Sequence, residues 1–181
     1  VALPSRDLWG IAKSILRAVA ALHAKGLGHM DLKPENMMVF DRHLKLIDIE
    51  GVLSAKTDFS PGRESVTVTP AYCAPELARL LVDSRESRTN QSITLSSTLD
   101  VWSVGMILCE LVTLKPILTD IFKRQAAKAK VLRGEPGYCF LKWLSSLSSL
   151  ELPTAEKSSQ RDLFQFVSES LLLTTADSRK F

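Results

Sequence analysis

Residues 98–113 are apolar nearly all the way round a helix: Leu99, Val101, Trp102, Val104, Met106, Ile107, Leu108, Leu111 and Val112 leave no wet stripe. Such a helix must be buried on every side, so the rest of the chain has to pack round it as a shell. Asp100 at its head is costly to bury unless hydrogen-bond donors converge on it. Leu8, Ile11, Ile15, Val19 and Leu22 recur at three-to-four spacing, which predicts a one-faced helix over 5–25 that Ser5 can start and Gly26 can end. His23 on that helix reads as a surface or half-buried side chain rather than a ligand. Further helices are predicted over about 119–132 and 160–173, the second with Ser159 and Asp162 spaced as a capping box. Loop or short helix is expected between them, with Trp143 in the core. Met37–Phe40, Asp41–His43 and Leu44–Ile47 read as strand, turn and strand, with no role for His43 in the turn.

A chain of 181 residues with 45 % apolar and 24 % charged residues suits one folded domain with a sizeable core. Its net charge of +3 is too small to point to nucleic acid, and the one basic run, Lys123 to Lys130, reads as a wet helix face. No apolar stretch reaches about 18 residues, so no membrane span is expected. The start, Val1-Ala2-Leu3-Pro4-Ser5, lacks a charged-then-apolar signal segment. Cys73, Cys109 and Cys139, odd in number and widely spaced, read as free thiols in a reducing compartment. An intracellular, cytoplasmic protein is the expectation.

The chemistry is concentrated in His29-Met30-Asp31-Leu32-Lys33-Pro34-Glu35-Asn36. A carboxylate can accept a proton from a hydroxyl, an ammonium two residues on can neutralise a moving phosphoryl group, and a nearby amide oxygen can hold a hard cation. Phosphoryl transfer needs that set of groups.

This string resembles the catalytic loop H-R-D-x-x-x-x-N of the protein kinases, with Met30 where the pattern has Arg. Three further motifs follow in the family's order. Asp48-Ile49-Glu50 stands where D-F-G should be, Ala74-Pro75-Glu76 is an intact A-P-E, and Asp100-Val101-Trp102-Ser103-Val104-Gly105 resembles D-x-W-S-x-G. The resemblance implies an α+β, mainly α-helical fold: residues 1–181 as the large, C-terminal lobe of a protein-kinase-like domain with a small β-hairpin. The activation segment would run over 48–76, with Ser54, Thr57, Ser60, Ser65, Thr67 and Thr69 as its hydroxyls. The polar, aperiodic residues 83–97 would be an inserted solvent loop.

The site residues follow from the same resemblance. Asp31 would be the base, Lys33 would steady the phosphoryl group, and Asn36 with Asp48 would hold magnesium. Met38 would lie under the adenine of ATP, or else fill core space. Thr69 would touch Asp31 and Lys33, as in serine/threonine kinases. Asp100 would accept catalytic-loop backbone N–H groups, and Glu76 would pair with Arg179. Ile49 should bury less than an aromatic but still pack, and Glu50, its side chain in solvent, should hold the segment in one state with Asp48 inward.

A glycine-rich phosphate cover, a strand Lys and a helix Glu are missing upstream; the only G-x-G, Gly26-Leu27-Gly28, is already followed by the catalytic loop. The expected function is therefore ATP- and Mg2+-dependent phosphorylation of serine or threonine in a protein substrate, once a missing small lobe or regulatory partner completes the chain. The alternative is a pseudokinase lobe acting as a non-catalytic scaffold, which Met30, Ile49 and Glu50 favour and the surviving Asp31, Lys33, Asn36 and Asp48 oppose. Transfer to a small molecule is disfavoured by the intact Ala74-Pro75-Glu76.

Overall fold

The computed structural model describes residues 4–54, 57–59, 68–87, 93–94, 96–131, 133–152, 158–173 and 179. At its centre is a helix over Thr98–Thr113, buried at every position from Leu99 to Cys109. One helix, α1 (Ser5–His23), packs on it and buries Ala12, Ile15 and Val19 in the shared core, with Leu8 buried on the same helix. Pro4, not Ser5, is the N-cap of α1, and no side-chain cap bond starts the helix; its fixed φ of −59° sets the entry instead. Gly26, at φ +71°, turns the chain out of the helix as a glycine can.

Beyond α1, β1 (Leu27–Gly28) leads to a one-turn 3-10 helix at Pro34–Asn36. The predicted hairpin follows as β2 (Met37–Phe40) and β3 (His43–Leu46), with Met37 opposite Leu46 and Phe40 opposite His43. Asp41 and Arg42 both take positive φ to close the turn, and His43 opens the second strand. A 3-10 turn over Ile49–Gly51 then leads into β4 (Leu53–Ser54), which pairs with β1, and β5 (Asp58–Phe59). Ser60, Ser65 and Thr67 lie outside the described residues.

The segment 83–97 differs from its expected loop at 83–87 and 93–94. Helix α2 (Pro75–Ser87) continues through 83–87, where Arg85 pairs with Glu135 and Glu86 with Lys142, tethering its polar end to another helix, α5 (Pro136–Ser145). Farther on, β6 (Ile93–Thr94) pairs with β5, and Thr94 Oγ1 donates to Asp58 Oδ1 at 2.8 Å. Phe59 in β5 is buried, so the polar composition of the surrounding segment hid an apolar anchor.

The central helix takes the label α3, and α4 (Thr119–Val131) follows it, packed on α5. Trp143 on α5 is half-buried rather than core: it stacks on the buried Phe140, ring centroids 5.5 Å apart, and its other side borders a surface pocket. Helix α6 (Ser158–Phe166) widens into a π turn over Val167–Leu171. There Leu171 and Leu172 press on Gly105, and the contact admits no side chain: a Cβ on Gly105 would lie 2.6 Å from Leu172 Cδ2 and 3.1 Å from Leu171 Cβ. The capping box of Ser159 lies outside the described side chains.

Candidate active site

Asp100 is wholly buried and holds the loop that begins at His29 from beneath. Its Oδ2 accepts the His29 N–H at 2.7 Å and its Oδ1 the Met30 N–H at 2.9 Å. His23 Nε2 donates to Oδ2 at 2.9 Å, so the half-buried histidine of α1 completes the carboxylate's shell. These bonds hold the loop while Met30 takes a left-handed φ of 69° and sinks its side chain into the core. His29 is buried too and donates from Nε2 to Ile47 O at 3.0 Å, joining the loop to the exit of β3.

Above this base, three predicted residues meet. Lys33 Nζ donates to Asp31 Oδ2 at 2.6 Å, Thr69 Oγ1 donates to Asp31 Oδ1 at 2.8 Å, and Lys33 Nζ reaches Thr69 Oγ1 at 3.2 Å. The Thr69 N–H adds a bond to the same Asp31 oxygen at 3.2 Å. The carboxylate thus lies half-buried with both oxygens directed by neighbours. Its hydrogen bond raises the Lys33 pKa above the ordinary lysine range against the opposing effect of burial, and the charges of Asp31, Glu35 and Asp48 add to the rise. The ammonium is therefore kept charged through the physiological range.

Asn36 is buried directly behind. Its Nδ2 donates to Asp31 O at 2.9 Å, which leaves Oδ1 without a hydrogen-bond partner among the described residues. Asn36 O accepts the Ile47 N–H at 3.0 Å, so Asp48, the next residue, is delivered beside the loop. Asp48 sits in the left-handed region, φ 59° and ψ 57°, a conformation that short polar Asp tolerates better than branched residues. Glu50 takes no positive φ; a residue with a side chain is accommodated there within a 3-10 turn, exposed to solvent. Ile49 does not pack as expected: 66 % of its surface is exposed, because no described element covers that turn. Met38 lies apart from the cluster on β2 and is exposed with Val39 and Phe40, which removes the core-filling reading for it. An amide Oδ1 and the Asp48 carboxylate are hard oxygen donors of the type magnesium takes, alongside phosphate oxygens and water, so these residues fit the ion.

Two further contacts brace the site. Arg179 forms a forked pair with both Glu76 oxygens, the Nη2 to Oε2 bond at 2.9 Å, and also donates to Leu173 O and Thr98 O. The guanidinium lies 5.0 Å from the centre of the Trp102 ring. Tyr72 donates to Glu110 Oε2 at 2.5 Å while Ser103 donates to Tyr72 O at 2.8 Å, which fixes the turn after Thr69 onto α3. Burial, aided by that bond to Glu110, pushes the Tyr72 phenol well above its ordinary range.

A family model described as the protein kinase domain matches residues 1–177. This chain belongs to the protein kinase domain family. Among similar proteins, the kinase chain is 34 % identical over 116 residues to cyclin-dependent kinase F-3 of Oryza sativa subsp. japonica, covering 64 % of this chain and 24 % of that protein. It is 37 % identical over 106 residues to the human calcium/calmodulin-dependent protein kinase type IV, covering 56 % and 20 %. With the maternal embryonic leucine zipper kinase of Danio rerio it shares 35 % over 144 residues, covering 77 % and 19 %. The kinase chain thus matches only about a fifth to a quarter of the length of these curated relatives.

Sequence reading missed the roles of His23, Phe59 and the Tyr72–Glu110 bond in this kinase chain. His23 lies 77 residues from Asp100 and Tyr72 lies 38 from Glu110, and no local pattern links residues so far apart. Phe59 had a signal, as a lone large aromatic in a polar stretch.

Proposed function

We propose that the chain is the large, C-terminal lobe of a protein serine/threonine kinase, which transfers the γ-phosphoryl group of ATP to a hydroxyl of a protein substrate when a small lobe completes it. The observation that carries this reading is the Asp31–Lys33–Thr69 triangle: a half-buried carboxylate aimed by two donors, beside an ammonium whose charge is reinforced. Asp31 orients the acceptor hydroxyl and takes its proton. Lys33 keeps positive charge where negative charge builds up on the moving group. Thr69 holds both in register, and its contact with Lys33 supports serine/threonine over tyrosine specificity. Asn36 and Asp48 would hold magnesium, which supplies charge neutralisation for the phosphates when bound. Met38, exposed on β2, would lie against the adenine. Activation segment 48–76 and the extra residues within 83–97 are read as parts of this single lobe, in an intracellular protein.

The exposed Ile49 and the Glu50 that follows it favour a second reading, a pseudokinase scaffold. Magnesium-dependent nucleotide binding separates the two: a scaffold lacks it in the parent and gains it with Glu50→Gly. The function itself is tested by Asp31→Asn in a completed two-lobe domain, read as transfer of radiolabelled phosphate to protein. Loss of the proton acceptor should cost on the order of 10² to 10⁴ in rate. An unchanged rate overturns the assignment of Asp31.

A further inference from the structure

Helix α4 presents Ile121, Arg124, Gln125 and Lys128 on one face, at the three-to-four spacing that aligns side chains along a helix. With Trp143 of α5 they enclose a surface pocket of about 260 Å3. Its cations stand out from those nearby. On the adjoining α2 and α5 surface, Arg85 is neutralised by Glu135 and Lys142 by Glu86, whereas among the described residues neither Arg124 nor Lys128 has a carboxylate within ion-pair distance. Two cations unpaired among the described residues and an amide therefore converge on a concavity walled by an aliphatic and an indole side chain. The run Lys123–Lys130 is accordingly not uniform round the helix: Arg124 and Lys128 line the pocket, and Lys123 and Lys130 do not.

We propose that this pocket binds a phosphoserine or phosphothreonine of a polypeptide, with an apolar residue beside it on Trp143 and Ile121. A phosphomonoester brings close to two negative charges and three acceptor oxygens, which matches three donor groups: the Arg124 guanidinium, the Lys128 ammonium and the Gln125 amide. A carboxylate side chain brings one charge and two oxygens, and leaves one donor group idle. The Arg124 fork suits bidentate contact with phosphate. A membrane surface calls for a broad flat basic face with inserting apolar groups, and a nucleic acid for a basic stripe; a pocket with two cations on one face of one helix, in a chain of net charge +3, fits neither. Binding here needs no phosphoryl transfer, so it stands or falls apart from the proposed activity.

The probe is a short fluorescein-labelled peptide of glycine and alanine carrying one phosphoserine next to one leucine, titrated with the 181-residue chain and followed by anisotropy. It should bind about tenfold or more tightly than its unphosphorylated twin, and weaken as salt is raised. The double variant Arg124→Gln/Lys128→Gln, changed only at exposed positions, should abolish that preference. Lys123→Gln/Lys130→Gln removes the same charge from the same helix outside the pocket and should shift affinity by less than about twofold. Equal losses in the two double variants would reduce the effect to general charge and overturn the pocket, as would no preference for the phosphorylated peptide. Binding of phosphatidylserine vesicles or single-stranded DNA that depends on Arg124 and Lys128, without phosphopeptide binding, would overturn the choice of ligand.

Discussion

Thr69 Oγ1 lies 2.8 Å from Asp31 Oδ1 although 38 residues separate them, and the Thr69 N–H binds the same oxygen. Two hydrogen bonds therefore tie the position of Thr69 to Asp31, the residue proposed as the base. In a completed domain Thr69→Val keeps the shape and removes the hydroxyl; the turnover number should fall about tenfold, the worth of one positioning hydrogen bond, with the KM for ATP little changed. Steady-state kinetics check this, and a rise in KM alone would contradict it.

Met30 has no charge and is buried, so it offers nothing to a phosphate on residues 54–69 of the proposed activation segment. Phosphatase treatment of a completed domain should leave its activity intact. Loss of activity on that treatment would mean that another cation reads the phosphate.

Arg179 is a buried cation with four hydrogen bonds, two of them to Glu76. Arg179→Ala should destabilise the chain by about 3–5 kcal/mol, since it strands Glu76 and two carbonyls. Urea denaturation measures this, and a loss under about 1 kcal/mol would show that water replaces the pair.

Gly105 faces Leu171 and Leu172 too closely for a methyl group. Gly105→Ala should cost about 1–3 kcal/mol through overpacking, despite the better helix propensity of alanine. An unchanged or raised melting temperature would show that the π turn moves aside freely.

Lys33 has a raised pKa in the folded chain, chiefly through its hydrogen bond to Asp31. A group of this kind stabilises fully below its unfolded value of about 10.4 and loses the contribution as pH rises through the folded value. The gap in melting temperature between the parent and Lys33→Met should stay level from about pH 7 to 9 and close only above the lysine range. A gap already closing by about pH 8 would place the stabilising charge elsewhere.

Much was legible in the sequence because it rests on local rules. The all-round apolar run became α3, the stripe of Leu8, Ile15 and Val19 became the buried face of α1, and Met37–Phe40 and Leu44–Leu46 paired as a hairpin. Asp31, Lys33 and Asn36 lie within six residues, so one turn of backbone is enough to gather them. Local rules failed where the deciding partner was distant. Arg85 and Glu86 look like loop residues until α5 supplies Glu135, Lys142 and Tyr138; Ile93–Thr94 becomes a strand only against Asp58–Phe59. Ile49 looks apolar enough to bury, but burial depends on a covering surface rather than on the residue. The sequence by itself determined which helix had to be central and put Asp31, Lys33 and Asn36 close together, since spacing and polarity follow from chain order. Only the tertiary structure decided that His23 bonds Asp100, that Thr69 closes on Asp31, and that Arg124 and Lys128 face a pocket with no counter-charge among the described residues. Those contacts are through-space energies between segments far apart in the chain, and chain order does not encode them locally.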